Sequence, residues 1–289
     1  MQTRIIFKKT YDFFIFSNLF ISLGAWVMSL HTLQLFHITN HNTDLTLFLF
    51  FSTLASYNLH WLLTDPKTER TRPRWQWLRA NKNIHLSVFL MALVPSVFFL
   101  VQLMDFWALF VPLFVLTFIY TSPKLPFRSL QSFGQYNIGK TFVLTAVWVY
   151  ATTLLPLLMH SDQWKTTYTF FCLYRFCLIF SICILFDLKD RRHDRSNGIK
   201  SVVTWLPTNK LKTVFTIFIA VSFIASLAQF IGSGNWVEFA FSILPILLTY
   251  KFFEKSLLST DSYFYYFILD GMMILPSILH FFFIFAGSL

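Results

Sequence analysis

Apolar residues in this chain come in long runs, separated by shorter polar and basic stretches. A helix needs about 20 mainly apolar residues to cross the hydrocarbon core of a bilayer. Nine segments approach that length: 13–36, 46–63, 84–103, 106–120, 141–159, 168–186, 213–231, 236–253 and 263–285. The fourth is short and follows the third through the tight stretch "VQLMDFW", which predicts a helical hairpin. The first run is too long for the core of a signal peptide and lacks a small-residue cleavage site, so it is expected to stay as the first helix. No Gly/Ser linker or low-complexity tract divides the chain. The pattern predicts an all-α, polytopic membrane protein: one transmembrane domain, residues 1–289, built as a bundle of about nine helices.

Basic residues orient such a bundle, because cytoplasmic loops collect Lys and Arg. With a cytoplasmic N-terminus, only Lys165 falls outside and only Arg175 falls deep within a span. In this orientation the loops at 58–83 and 187–212 open on the same cytoplasmic face. They are also the loops richest in polar side chains.

Composition sharpens this picture. Hydrophobic residues make up 56% of the chain, aromatic ones 20% and charged ones 12%, with 38 Phe in 289 residues. Soluble domains carry roughly one quarter charged residues, so bilayer is the expected solvent. The net charge of +10 is spread over the loops between apolar runs and forms no single face, so no nucleic-acid partner is expected. Cys172, Cys177 and Cys183 share one apolar segment without a metal-binding spacing, and read as buried thiols.

The stretch "FDLKDRRHDRSNG" sets Asp187, Asp190 and Asp194 at i, i+3 and i+7. If the helix continues past the membrane, the three carboxylates share one face. Stacked like charges suit a hard divalent cation, which takes oxygen ligands and shares substrate phosphates. Lys189, Arg191, Arg192 and Arg195 could equally neutralise the acids at a solvated helix end. The other loop, "YNLHWLLTDPKTERTRP", offers Asn58, His60, Asp65, Glu69, Arg70, Arg72 and, one residue on, Arg74. Asn58 could bond a neighbouring helix, and His60 could be a satisfied interfacial histidine. The arginines read either as orientation signals or as phosphate clamps. Arg175 and Asp270 are intramembrane charges, which usually face a cavity or each other. The bland reading is a structural Arg175–Asp270 pair, and the sharper one has both lining a cavity.

These motifs resemble the UbiA-type intramembrane prenyltransferase superfamily. "DLKDRRHD" is similar to its second Asp-rich motif, D-x-x-D-x-x-x-D, with Gly198 following. The first motif, N-D-x-x-D-x-x-x-D before an Arg-Pro, aligns on Arg72-Pro73. Tyr57 then holds the Asn position, Asn58 the first Asp and Trp61 the second, and Asp65 alone keeps its carboxylate. "YTSPKLPFRSL" resembles the segment after the family's fourth helix, with Lys140 entering the fifth. The resemblance covers nearly the whole chain.

It implies a Mg2+-dependent enzyme that moves a prenyl group from a prenyl diphosphate to a lipophilic, usually aromatic, acceptor. Asp187, Asp190, Asp194, Asp65 and Asn58 would hold the metal, with Asp187, Asp190, Asn58 and Asp65 central to catalysis. Arg70, Arg72, Lys124 and Lys189 would contact diphosphate, and Tyr120 would position the substrate. Arg175, Asp270, His60 and Lys140 would line the cavity. Membrane lipid is the expected surrounding, a bacterial inner membrane the expected location, and no obligate protein partner is implied. Two alternatives share the fold: an intramembrane terpene cyclase, and a non-catalytic lipid- or quinone-binding protein.

Overall fold

The computed structural model describes residues 2–39, 42–64, 73–122, 139–161, 163–196 and 201–287, without the side chains of 2–5, 192 and 193. Every regular element among them is helical: α1 (Gln2–Phe16), α2 (Leu19–Leu35), α3 (Thr43–Leu63), α4 (Pro73–Ala80), α5 (Lys82–Gln102), α6 (Trp107–Thr121), α7 (Lys140–His160), α8 (Thr166–Ser196), α9 (Val202–Trp205), α10 (Thr208–Ser233), α11 (Trp236–Leu258) and α12 (Phe264–Gly287). All nine expected segments fall on helices.

Seven of these helices are long and apolar enough to cross a membrane, or eight if the bent pair α1–α2 is one span. This is an integral, multi-pass membrane protein. The expected count of nine is not reached among the described residues, and α3 accounts for the difference. It has 21 residues, but its apolar run is diluted by Ser52, Thr53, Ser56, Asn58 and His60.

The first run is not one straight helix, as the sequence suggested. α1 and α2 meet at 56°, where Asn18 adopts a left-handed conformation at φ 67°. A helix end among apolar neighbours leaves carbonyls without donors. Three polar side chains serve this break. Asn58 donates to Ser17 O at 3.0 Å, Arg74 donates to Asn18 Oδ1 at 2.6 Å, and Ser22 Oγ donates to Asn18 O at 2.8 Å.

α8 forms the axis of the bundle. Two thirds of its spanning window is buried, against 11% for α6, so α6 presents its apolar surface to lipid. α8 packs against α7, α10, α11 and α12, while α12 returns to α2 and closes the bundle near the start of the chain. There Gly24 permits the approach, since a Cβ on it would lie 2.5 Å from Ile274 Cδ1.

Two spans contain a π-helical turn, Tyr150–Leu154 in α7 and Phe264–Leu269 in α12. In α7 the cause is legible. Pro156 has no N–H to offer the carbonyl four residues back, so Thr152 O is released. It accepts instead from Thr32 Oγ1 at 2.7 Å and Arg175 Nη1 at 3.1 Å.

Candidate functional site

A cavity of about 420 Å³ opens beside the end of α8 and runs into the bundle. Its lining on α8 extends from Ile179 to Asp194, roughly 22 Å of helix at 1.5 Å per residue. The volume lies within the range of small-molecule sites. Ile15, Ile21, Ala25, Leu144, Val147 and Met273 give it apolar walls, and Tyr57, Trp61, Trp148 and Tyr266 give it aromatic ones. Both π-turns contribute to it, through Ala151 and Thr152 in one and Tyr266 in the other, with Asp270 next in the chain. Such turns re-aim side chains and recur at functional sites.

α8 continues as helix through Ser196, so Asp187, Asp190 and Asp194 do lie along one element. All three line the cavity. Thr141 Oγ1 donates to Asp187 Oδ2 at 2.5 Å, which fixes one carboxylate oxygen. Lys140, at the start of α7, lies where the charges of Asp187, Asp190 and Asp194 act on it. Tyr120 comes from the end of α6 and stacks on His60 at 5.5 Å, and both line the cavity. Lys189 donates to the Tyr266 hydroxyl at 3.0 Å. Asp65, Arg70, Arg72 and Lys124 fall outside the described residues.

Arg74 is the contributor that the sequence underplayed. It is only 5% exposed and lies between the rings of Trp61 and Tyr266, with Cζ 4.1 Å and 4.0 Å from their centroids. Burial lowers its pKa, while Tyr266, Asp270 and Tyr57 oppose that shift; it remains a fixed cation in the cavity wall. In sequence it was one of three loop arginines, and nothing local separated it from an orientation charge.

Two expected site residues, Asn58 as a metal ligand and Arg175 as a cavity residue, are elsewhere. Asn58 is fully buried and is not part of the lining. Its amide donates to Ser17 O and Leu54 O, and its Oδ1 meets His85 Nδ1. The side chain is consumed in repairing the α1–α2 break, so it is a helix tie in place of the expected metal ligand. Arg175 is also outside the cavity, and it does not pair with Asp270. Its guanidinium donates to Met28 O, Thr32 Oγ1, Thr152 O and Thr153 Oγ1. Asp270 stands near the other end of the bundle, only six residues into α12, where the charges acting on it are Arg74 and Lys189.

Arg175 instead belongs to a second polar cluster. Its Nη2 lies 3.0 Å from His31 Nδ1, and His31 Nε2 lies 2.8 Å from Glu238 Oε1. His280 Nδ1 is 3.1 Å from Glu238 Oε2. The ligand atoms of His31, Glu238 and His280 lie within 4.8 Å of one another, a spacing a metal ion could bridge. Chemistry argues otherwise. A guanidinium only donates, so His31 Nδ1 accepts and the ring proton sits on Nε2, facing Glu238. That nitrogen is a donor, and the cluster balances the buried Arg175 charge with the Glu238 carboxylate.

Comparison with known proteins adds the fold. No protein-family model matches the chain, and no curated protein matches it in sequence. Among solved structures, a digeranylgeranylglyceryl phosphate synthase matches with a TM-score of 0.54 at 12% identity, covering 98% of this chain and 100% of that one. The helical bundle therefore shares the fold of that solved membrane synthase.

Proposed function

We propose that this protein is a membrane prenyltransferase, transferring a prenyl group from a prenyl diphosphate to a lipophilic acceptor with the aid of Mg2+. One observation carries the reading. A single cavity joins the carboxylates of Asp187, Asp190 and Asp194 and the cations Lys140, Lys189 and Arg74 to an apolar, aromatic interior. That arrangement suits a substrate with an anionic head and a hydrocarbon tail.

The all-oxygen donor set of the three aspartates fits Mg2+, which prefers carboxylates plus substrate phosphate. Bound there, the ion would supply positive charge to the departing diphosphate. Thr141 holds Asp187 in one orientation. Lys140, Lys189 and Arg74 offer charge-assisted hydrogen bonds to phosphate oxygens. Tyr57, Trp61, Trp148 and Tyr266 turn aromatic rings to the space where an allylic cation would form, and their faces favour positive charge. The loss of the Asn58 side chain from the site leaves the described donors on α8, so the metal half-site there carries the greater share.

The test is release of diphosphate from radiolabelled geranylgeranyl diphosphate by protein in lipid nanodiscs, with Mg2+ and with EDTA. Mg2+-dependent release that falls at least 100-fold in Asp187→Ala is the expected result. No release under any condition would count against an enzyme. Cyclised products from the donor alone would point to a terpene cyclase on the same fold.

A further inference from the structure

The proposed chemistry leaves α1 without a task. α2 has 17 residues, roughly 25 Å at 1.5 Å per residue, which is close to the thickness of the hydrocarbon core. α1 leaves it at 56°, so α2 makes the crossing and α1 turns toward the membrane plane at the cavity-mouth end. Its two sides differ. Ile15 and Phe16 are buried, and Tyr11 packs on Tyr263 and Phe267 at 5.6 Å and 5.4 Å. On the open side, Ile6 and Phe7 are 62% and 74% exposed, and Phe13 is 38% exposed. Lys8 and Lys9 stand exposed beside this apolar ridge. Asp12, the acid of α1, is turned to the Tyr263 hydroxyl. Trp77 of α4 lies against Phe13 at 6.4 Å, and Arg79 and Lys82 follow it in exposed positions.

An apolar ridge flanked by lysines, on a helix in the membrane plane, complements an anionic bilayer surface. The apolar side chains enter the acyl boundary, and the ammonium groups meet headgroup phosphate. Zwitterionic lipid offers the same apolar layer without the net negative charge that attracts lysines. We infer that α1 binds anionic lipid headgroups, and that this binding regulates the cavity through the break at Asn18. The connection is short, since only Ser17 lies between α1 and that asparagine. Asn18 Oδ1 accepts from Arg74 Nη2 at 2.6 Å, and Ile15, Asn18 and Arg74 all line the cavity. A helix held on the lipid surface therefore holds the residue that seats the cavity cation.

The experiment loads the protein in detergent with equimolar phosphatidylglycerol and phosphatidylcholine, washes it, and counts the retained lipid by mass spectrometry. The unmutated chain is expected to retain phosphatidylglycerol about fivefold over phosphatidylcholine. The double variant Lys8→Gln, Lys9→Gln is expected to bring that ratio below about twofold. Lys251→Gln with Lys255→Gln removes the same charge from the end of α11 and is expected to leave the ratio unchanged. An equal fall in both double variants reports net charge alone and overturns the inference, as does equal retention of the two lipids by the unmutated chain. A dimer that dissociates when Lys8 and Lys9 are replaced, with lipid retention unchanged, assigns the ridge to a second copy and also overturns it. Amide hydrogen exchange over residues 73–80 reads the regulation. It is expected to slow about tenfold between phosphatidylcholine and phosphatidylglycerol nanodiscs, and Asn18→Ala to lose that response while keeping the lipid preference. Equal exchange in the two nanodiscs overturns the link to the cavity. Neither readout needs turnover, so failure of the transferase reading leaves this inference standing.

Discussion

Arg175 and Asn58 show what a buried polar side chain costs and what it must find. Arg175 is 4% exposed, and its donors reach backbone carbonyls of α2 and α7 as well as His31. Arg175→Met would leave Met28 O and Thr152 O with Thr32 Oγ1 as their remaining side-chain donor and the Glu238 charge uncompensated. The expected loss is about 3 kcal/mol or more of stability, read as a lower thermal midpoint in detergent. A double-mutant cycle separates the two possible partners. Arg175 and Asp270 should be additive within about 0.5 kcal/mol, whereas Arg175 and Glu238 should couple by more than 1 kcal/mol. The sequence showed that Arg175 needed a partner but not which one, because partners are chosen across helices. Glu238 lies in the first turn of α11, capped by Asn235, and nothing in the sequence singled it out. Asn58 carries a matching lesson. Asn58→Ala should cost about 1–3 kcal/mol through the unsatisfied Ser17 carbonyl, while the Mg2+ concentration giving half-maximal diphosphate release stays within twofold. A tenfold rise would restore it as a metal ligand.

At the scale of the element, the length of apolar runs located every long helix but could not see irregularities inside them. A π-turn shifts hydrogen bonding by one residue and leaves composition unchanged. Its only trace in α7 was Pro156, which removes a donor without stating where the freed carbonyl turns. The break at Ser17–Asn18 lacks Gly or Pro, so the run 13–36 read as continuous. α3 read as a span because its polar residues are spread over 21 positions, yet they serve packing and the cavity: Asn58 ties the break, while Tyr57, His60 and Trp61 turn to the cavity. The Asp187 helix was the most legible part, since spacing alone fixes which residues share a face. Deleting Ala151 tests what the α7 turn does. Removing the extra residue lets the segment close at 3.6 residues per turn with its flanks in nearly the same rotation, and takes the wide turn out of the cavity wall. The wall that Ala151 and Thr152 provide would then be reshaped. Far-UV circular dichroism should be unchanged while diphosphate release falls at least tenfold. Full activity in the deletion would make the turn incidental.

For the molecule as a whole, fold and motif part company. The bundle matches a solved synthase over 98% of the chain, although the stretch that resembles a first Asp-rich motif keeps a carboxylate only at Asp65. Packing asks only for apolar volume at each position, so 12% identity suffices for the fold. A catalytic motif asks for particular atoms. What the whole chain still fixes is its sidedness. Lys8, Lys9, Arg74, Arg79, Lys82, Lys140, Lys189, Arg191 and Arg195 gather toward the Asp187 end, and Lys165 stands near the other. Membrane insertion keeps such a cluster on the cytoplasmic side. The cavity mouth would then open to the cytoplasm, where a soluble diphosphate is accessible. Exposed single-cysteine reporters settle the matter in a chain whose Cys172, Cys177 and Cys183 are replaced by alanine. Ser196 ends α8 and Ser233 ends α10, on opposite ends of two packed helices joined by a short connection. In right-side-out vesicles a membrane-impermeant maleimide should label Ser233→Cys and spare Ser196→Cys, and inverted vesicles should reverse the pattern. Labelling of Ser196→Cys from the outside would turn the protein over, and would require the diphosphate substrate to arrive from the non-cytoplasmic side.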